Sequence, residues 1–338
     1  MGIELMTADG ARSVRHWGYR LQGGSRKAKS RALSVGDLAR APHDLIVMDF
    51  SRDGSDQGAF SEADIQLLKS RPDTNSVVVA YISIGEASDY RGHWQDAWTD
   101  YDDPEKRAAG VLNDASPAWL GAWNEKWPAS RKVRYWDKDW QDIIFNTDRT
   151  GWLDRIVAAG FDGAYLDIVL GYYHWASEVS EADRRPGDPE TEREAAARMI
   201  DFITAMAAHA RETNPEFLII PQNGAFIIDA LEDEDHPRRD AYLETISAIA
   251  CEDLFYRGEK DENNAFEPDA DAIDALERDF IDSGKPVLSV DYVSDKKKIA
   301  KYFAEAASKR FLPYAAPSRE LNILGPRYEG EEEGTMIA

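Results

Sequence analysis

The sequence predicts an α/β fold, a (β/α)8 TIM barrel with a long Trp-rich insertion between its third and fourth strands. Three observations carry this. Eight short apolar runs punctuate the chain, and helical patterns separate most of them. An open doubly wound sheet would advertise a Gly-rich first turn, and after the first run only Gly23-Gly24 appears. A length of 338 residues suits one barrel and buries a large core without a metal or disulfide staple.

Strands are expected near residues 16–22, 44–50, 77–84, 163–169, 217–221, 247–251, 286–291 and 310–315. Runs such as Leu45-Ile46-Val47-Met48, Val77-Val78-Val79-Ala80 and Phe217-Leu218-Ile219-Ile220 are apolar at every position, as strands covered on both faces are. A helix over 61–70 opens with the capping-box-like Ser61-Glu62-Ala63-Asp64. A second, over 191–213, carries Ala197, Ile200, Ile203 and Met206 at helical spacing. Two more are expected over 270–282 and 296–307, and Gly160, Gly284 and Asn214-Pro215 mark helix ends. The barrel should occupy 14–325, followed by an acidic tail over 326–338; the basic loop Arg26-Lys27-Ala28-Lys29 reads as solvated.

Residues 87–145 break the rhythm. They hold Trp94, Trp98, Trp119, Trp123, Trp127, Trp136 and Trp140, seven of the chain's ten tryptophans. A loop of that length usually has a function. Some of these rings should form a satellite core, and exposed ones offer flat apolar faces on which sugar rings stack.

The formal net charge of -23 repels nucleic acid and anionic membrane and attracts cationic ligands. No apolar run approaches the length of a membrane span, and Met1-Gly2-Ile3-Glu4-Leu5 lacks the basic and apolar regions of a signal peptide. The lone cysteine, Cys251, lies in an apolar run and reads as a structural thiol. The six histidines show no HExxH spacing, Ser83 is not in a nucleophile elbow, and no Walker loop or dinucleotide fingerprint occurs, so no metal or cofactor is expected.

Active sites of such barrels lie at the C-terminal ends of the strands. Those ends carry Asp49, Glu86, Asp167, Asn223, Glu252 and Asp291, five acids and one amide. Asp167 ends the apolar run Gly163-Ala164-Tyr165-Leu166, and period two places it on the same face as Tyr165. Glu252 ends Ile249-Ala250-Cys251 in the same way two strands later; its neighbour Asp253 should face the other side, and the longer arm favours Glu252. Two such acids can flank a sugar, one as nucleophile or base and one as proton donor. Gly85 is read as a bulge that re-aims Glu86, while Asp49, Asn223 and Asp291 would bind hydroxyls or an amine.

Taken together these segments resemble the family 114 glycoside hydrolases, a group related to endo-α-1,4-polygalactosaminidases. The matching pieces are Trp17-Gly18-Tyr19-Arg20-Leu21-Gln22, Asp44-Leu45-Ile46-Val47-Met48-Asp49, Ala80-Tyr81-Ile82-Ser83-Ile84-Gly85-Glu86-Ala87-Ser88-Asp89-Tyr90-Arg91, Val133-Arg134-Tyr135-Trp136, Gly160-Phe161-Asp162-Gly163-Ala164-Tyr165-Leu166-Asp167, Pro221-Gln222-Asn223-Gly224, Cys251-Glu252-Asp253-Leu254-Phe255-Tyr256 and Val290-Asp291-Tyr292-Val293. The resemblance implies a retaining endo-α-glycosidase acting on a galactosamine-rich polysaccharide, with Asp167 as nucleophile and Glu252 as acid/base. Within the matching segments, Asp49, Ser83, Glu86, Tyr90, Arg91, Trp136, Tyr165, Asn223, Asp291 and Tyr292 are the expected substrate contacts. An acidic protein with an acid-rich mouth suits a cationic amino-sugar polymer. Two rivals stand beside this reading: a metal-dependent barrel lyase or isomerase, which needs three converging acids and a Lys or His base, and a carbohydrate-binding barrel without catalysis.

Overall fold

The computed structural model describes residues 2–21, 32–70, 76–100, 111–232 and 235–328. The basic loop at 26–29 and the acidic run at 329–333 lie outside the described residues. The chain opens with an antiparallel hairpin, β1 (Ile3–Thr7) and β2 (Gly10–Val14), turned through Gly10 at φ 98°. The strands that follow are β3 (Trp17–Arg20), β4 (Leu45–Asp49), β5 (Val77–Ser83), β6 (Glu86–Ser88), β7 (Leu120–Trp123), β8 (Ser130–Val133), β9 (Gly163–Asp167), β10 (Leu218–Pro221), β11 (Ile249–Glu252), β12 (Val287–Tyr292) and β13 (Leu312–Ala316).

Eight of them form the barrel. β3, β4, β5, β9 and β10 pair in parallel in that order, as do β11, β12 and β13. A parallel bridge between Gln222 and Ala250 joins β10 to β11. The ring closes where β13 packs on β3: the Trp17 indole N–H donates to the Leu312 carbonyl at 2.9 Å. All eight strands fall where the apolar runs predict them.

Period two then sorts the side chains. Trp17, Tyr19, Val47, Val79, Tyr165, Ile220, Ala250, Val290 and Tyr314 fill the barrel interior, while their neighbours pack outward against the helices. The interior is rich in rings, with Tyr19 and Tyr165 centred 5.0 Å apart and Trp17 and Tyr314 5.3 Å apart. Each fully buried ring of this size contributes about 2–3 kcal/mol. Leu5 and Val14 of the hairpin belong to the same interior cluster and seal the N-terminal end, so the opening left is at the strand C-termini.

The helices over Glu62–Lys69, Glu192–Arg211 and Lys296–Ser308 match expectation, the first with its capping box formed between Ser61 and Asp64. The predicted helix over 270–282 is present but changes from α (Ala270–Ala275) to π (Leu276–Ile281). Between β5 and β9 the chain is not a simple loop. β6, β8 and β7 make an antiparallel sheet, and Trp94, Trp98, Trp119 and Trp140 pack in a row, edge to face or tilted, with successive ring centroids 5.0–5.4 Å apart. No helix among the described residues is long and apolar enough to cross a membrane.

Candidate active site at the barrel mouth

Strand register brings the acids together. Asp167 closes β9 and Glu252 closes β11, with β10 between them, so their backbones lie about 10 Å apart and both side chains point into the mouth. Each carboxylate is held by two donors. Tyr81, inward-facing on β5, donates its hydroxyl to Asp167 Oδ2 at 2.6 Å, and the Ile168 N–H donates to Oδ1 at 2.8 Å. Asn223 donates to Glu252 Oε1 at 3.0 Å, and the Tyr292 hydroxyl donates to Oε2. The Glu252 N–H returns to Asn223 Oδ1 at 3.1 Å, which fixes the amide's orientation.

The backbone at these tips is bent sharply. Ile168, Asn223 and Asp253, at three successive strand ends, all have left-handed φ values of 61°, 66° and 55°. Asn and Asp tolerate this region; a β-branched Ile does not, and costs about 1–3 kcal/mol there. Gly85 explains how it is held. A Cβ at Gly85 would lie 2.4 Å from the Ile168 carbonyl oxygen, so only glycine lets this turn pack. The expected bulge is therefore a close approach, and Glu86 starts a separate strand, β6.

Burial, and secondarily the charges of Glu252 and Glu86, push the Asp167 carboxyl up to about 7, against the pull of its Tyr81 and Ile168 donors. Glu86 is buried and accepts from Lys132 at 2.6 Å and Asn124 at 2.8 Å, both on Oε1. Lys132 reaches it from β8, in the inserted sheet. On the other side, Arg319 grips Asp253 with two bonds of 2.8 Å and lies 4.0 Å from the centre of the Tyr292 ring.

The remaining expected contacts separate into groups. Tyr165 is inward-facing and fully buried beneath the acids, with its hydroxyl unpartnered, and the buried Ser83 hydroxyl, beside Asp167 in register, is unpartnered too. Tyr90 is exposed at 45%. Asp49 and Arg91 spend themselves on each other in a buried two-pronged ion pair of 2.9 and 2.6 Å, with Arg91 also donating to the Gly54 carbonyl. Trp136 is half-buried between Tyr135, Trp175 and Arg198. Asp291 does not join the mouth. It faces outward from β12, is fully buried, and accepts the N–H groups of Phe255 and Tyr256. The parity of β12 decides this: Tyr292, not Asp291, shares a face with the inward Val290.

Sequence reasoning missed Tyr81, Asn124, Lys132 and Arg319. For Tyr81 a signal existed, since Val77, Val79 and Tyr81 alternate inward. Among the described residues no group of three or more His, Cys, Asp or Glu is placed to hold a metal, and Cys251 is buried on the outer face with its thiol pushed up to about 12.

The chain is similar to known proteins over most of its length. Uncharacterized proteins of Methanocaldococcus jannaschii and Thermotoga maritima are 34% and 32% identical over 317 and 300 residues, covering 91% and 85% of this chain and 77% and 80% of theirs. Among solved structures, the glycoside hydrolase domain of PelA from Pseudomonas aeruginosa shares the fold, with a TM-score of 0.56 at 15% identity over 92% of this chain and 97% of that one. The family profile of the glycoside hydrolases GH114 matches residues 15–330, and the chain belongs to that family.

Proposed function

We propose that the protein hydrolyses an α-linked, galactosamine-containing polysaccharide by double displacement. The observation that carries this is the pair of inward carboxylates, Asp167 and Glu252, each oriented by one tyrosine hydroxyl and one amide donor. Asp167 attacks the anomeric carbon while Glu252 gives its proton to the departing glycosidic oxygen. Glu252 then takes a proton from water, whose oxygen displaces Asp167 and regenerates both groups. The net charge of -23 supports a cationic polymer. Glu86, whose two protein bonds both fall on Oε1, is placed to receive a substrate amine on Oε2. Trp123 and Trp127 are 36% and 49% exposed on the hairpin whose Asn124 touches Glu86, and they are the tryptophans we assign to sugar stacking.

One observation favours a second reading. A carboxyl raised to about 7 by burial is a typical proton donor, which would exchange the two roles. The pH dependence of kcat/KM separates them. An ionised Asp167 nucleophile loses activity as pH falls through about 7, whereas an Asp167 acid loses it as pH rises through about 7. With Asp167 as nucleophile the acidic limb is the expected result. Substrate is tested by product release from galactosamine, N-acetylgalactosamine and glucosamine polymers, wild type beside Glu252→Gln. Oligosaccharides from the deacetylated galactosamine polymer, absent with the variant, are expected; cleavage of another polymer alone would sink the substrate assignment.

A further inference from the structure

We propose that Arg319 is a positioning residue for Glu252, acting through Asp253 and Tyr292; this rests on Glu252 being the proton donor. Arg319 lies just past β13, 66 residues from Asp253 in sequence, yet all three of its side-chain nitrogens donate within the protein. Nη1 and Nη2 each donate to one oxygen of Asp253, and Nε donates to the Asp261 carbonyl at 3.1 Å. Its backbone N–H donates to Glu262 at 3.1 Å. The guanidinium plane therefore cannot swing, and its face rests on the Tyr292 ring.

Both targets steer Glu252. Asp253 is the next residue, in left-handed backbone, where the chain leaves β11; its N–H is tied to the Val290 carbonyl at 3.0 Å. Tyr292 supplies the hydroxyl on Glu252 Oε2. One planar cation thus clamps the backbone behind the acid and the ring beside it. A proton donor has to meet the glycosidic oxygen within a narrow cone, and a misplacement of about 1 Å can cost about a hundredfold.

Two other uses of Arg319 fit less well. As a surface ion pair, with 23% and 27% of the two side chains exposed, it would add little stability. As a substrate contact its charge would repel an amino-sugar, and all three of its side-chain nitrogens already donate within the protein. Lysine could keep the charge but not the fork or the stacking plane.

The test compares a poor and a good leaving group: an α-1,4-galactosamine oligosaccharide, whose departing oxygen needs a proton, and the dinitrophenyl glycoside of the same sugar, which departs as a stable anion and needs none. Read as kcat/KM, which reports events up to departure of the aryl group, Glu252→Gln should lose the first and keep most of the second, while its kcat on the aryl glycoside falls because Glu252 also takes the water proton in the second half-reaction. Arg319→Gln should show the same split in smaller degree: kcat/KM on the oligosaccharide down about 10- to 100-fold, carried by kcat with KM within about threefold, and kcat/KM on the aryl glycoside within about threefold. Arg319→Lys should not rescue it, and Asp253→Asn, which releases the clamp from its other end, should reproduce it. A split in Glu252→Gln with equal losses, or none, in both Arg319→Gln and Asp253→Asn would overturn the role of Arg319 alone. Equal losses of kcat/KM on both substrates in Glu252→Gln would overturn the proton-donor assignment, and the role of Arg319 with it.

Discussion

The two sides of the mouth hold their carboxylates by different means. On the β9 side Asp167 is gripped by its own backbone, by a tyrosine from the adjacent strand, and by a strained turn that Gly85 makes room for. Behind it stands the buried Asp49–Arg91 pair, with side chains 0% and 3% exposed. On the β11 side Glu252 is gripped only by side chains, and the ion pair behind it is part-exposed. A nucleophile has to stay where the anomeric carbon arrives, whereas an acid/base has to give up a proton and take one back. In the proposed mechanism the first seat is built into a strand end, and the second depends on side chains that Arg319 clamps from a distant segment.

The largest test of that contrast is stability. Removing one partner of a buried ion pair strands the other charge, so Arg91→Ala should cost about 3–5 kcal/mol in denaturant unfolding. Arg319→Ala, losing a part-exposed pair, should cost about 1 kcal/mol or less. Equal costs would break the distinction between a buried and a part-exposed support. Next come the tyrosines. Tyr81→Phe and Tyr292→Phe each remove one hydroxyl donor from a carboxylate, at about 1–3 kcal/mol in the transition state or roughly 10- to 100-fold in kcat/KM. Only Tyr292→Phe should spare the aryl glycoside, because only its loss falls on proton donation; sparing by Tyr81→Phe would argue for exchanged roles.

The smallest effect is expected at Asp291. Burial, with the charges of Asp253 and Glu252, raises its carboxyl from 3.8 to about 7 despite two backbone donors. The folded state therefore holds this proton more tightly than the unfolded chain. Its contribution to stability is complete below the unfolded value and is lost as pH rises through about 7. Asparagine keeps an acceptor for the Tyr256 N–H and cannot ionise. Asp291→Asn should thus leave kcat/KM within about threefold, and its melting temperature should gain on wild type as pH rises from about 4 to 8. A hundredfold loss of activity would return Asp291 to the substrate site.

The barrel was legible because its strands are long enough and apolar enough to read on both faces, and Asp167 and Glu252 were legible because each ends such a run. What escaped had no local pattern. β6, β7 and β8 are three or four residues long and contain Gly, Ala, Ser and Lys, so neither alternation nor β-branching marks them. Lys132 and Arg319 reach the mouth from segments remote in sequence, and only tertiary packing brings them there. Asp291 and Tyr292 were both expected at the mouth, and only one can face it: the parity that turns Tyr292 inward and Asp291 outward depends on Val290 facing the core.

The row of tryptophans beside the mouth has an optical consequence. Seven of the ten indoles fall between residues 94 and 140, and Trp94, Trp98, Trp119 and Trp140 are close enough to pass excitation along the row. The ultraviolet emission of this protein therefore reports mainly on the segment inserted between β5 and β9. If the proposed stacking on Trp123 or Trp127 occurs, a bound saccharide announces itself as a change in colour and yield, without any label attached.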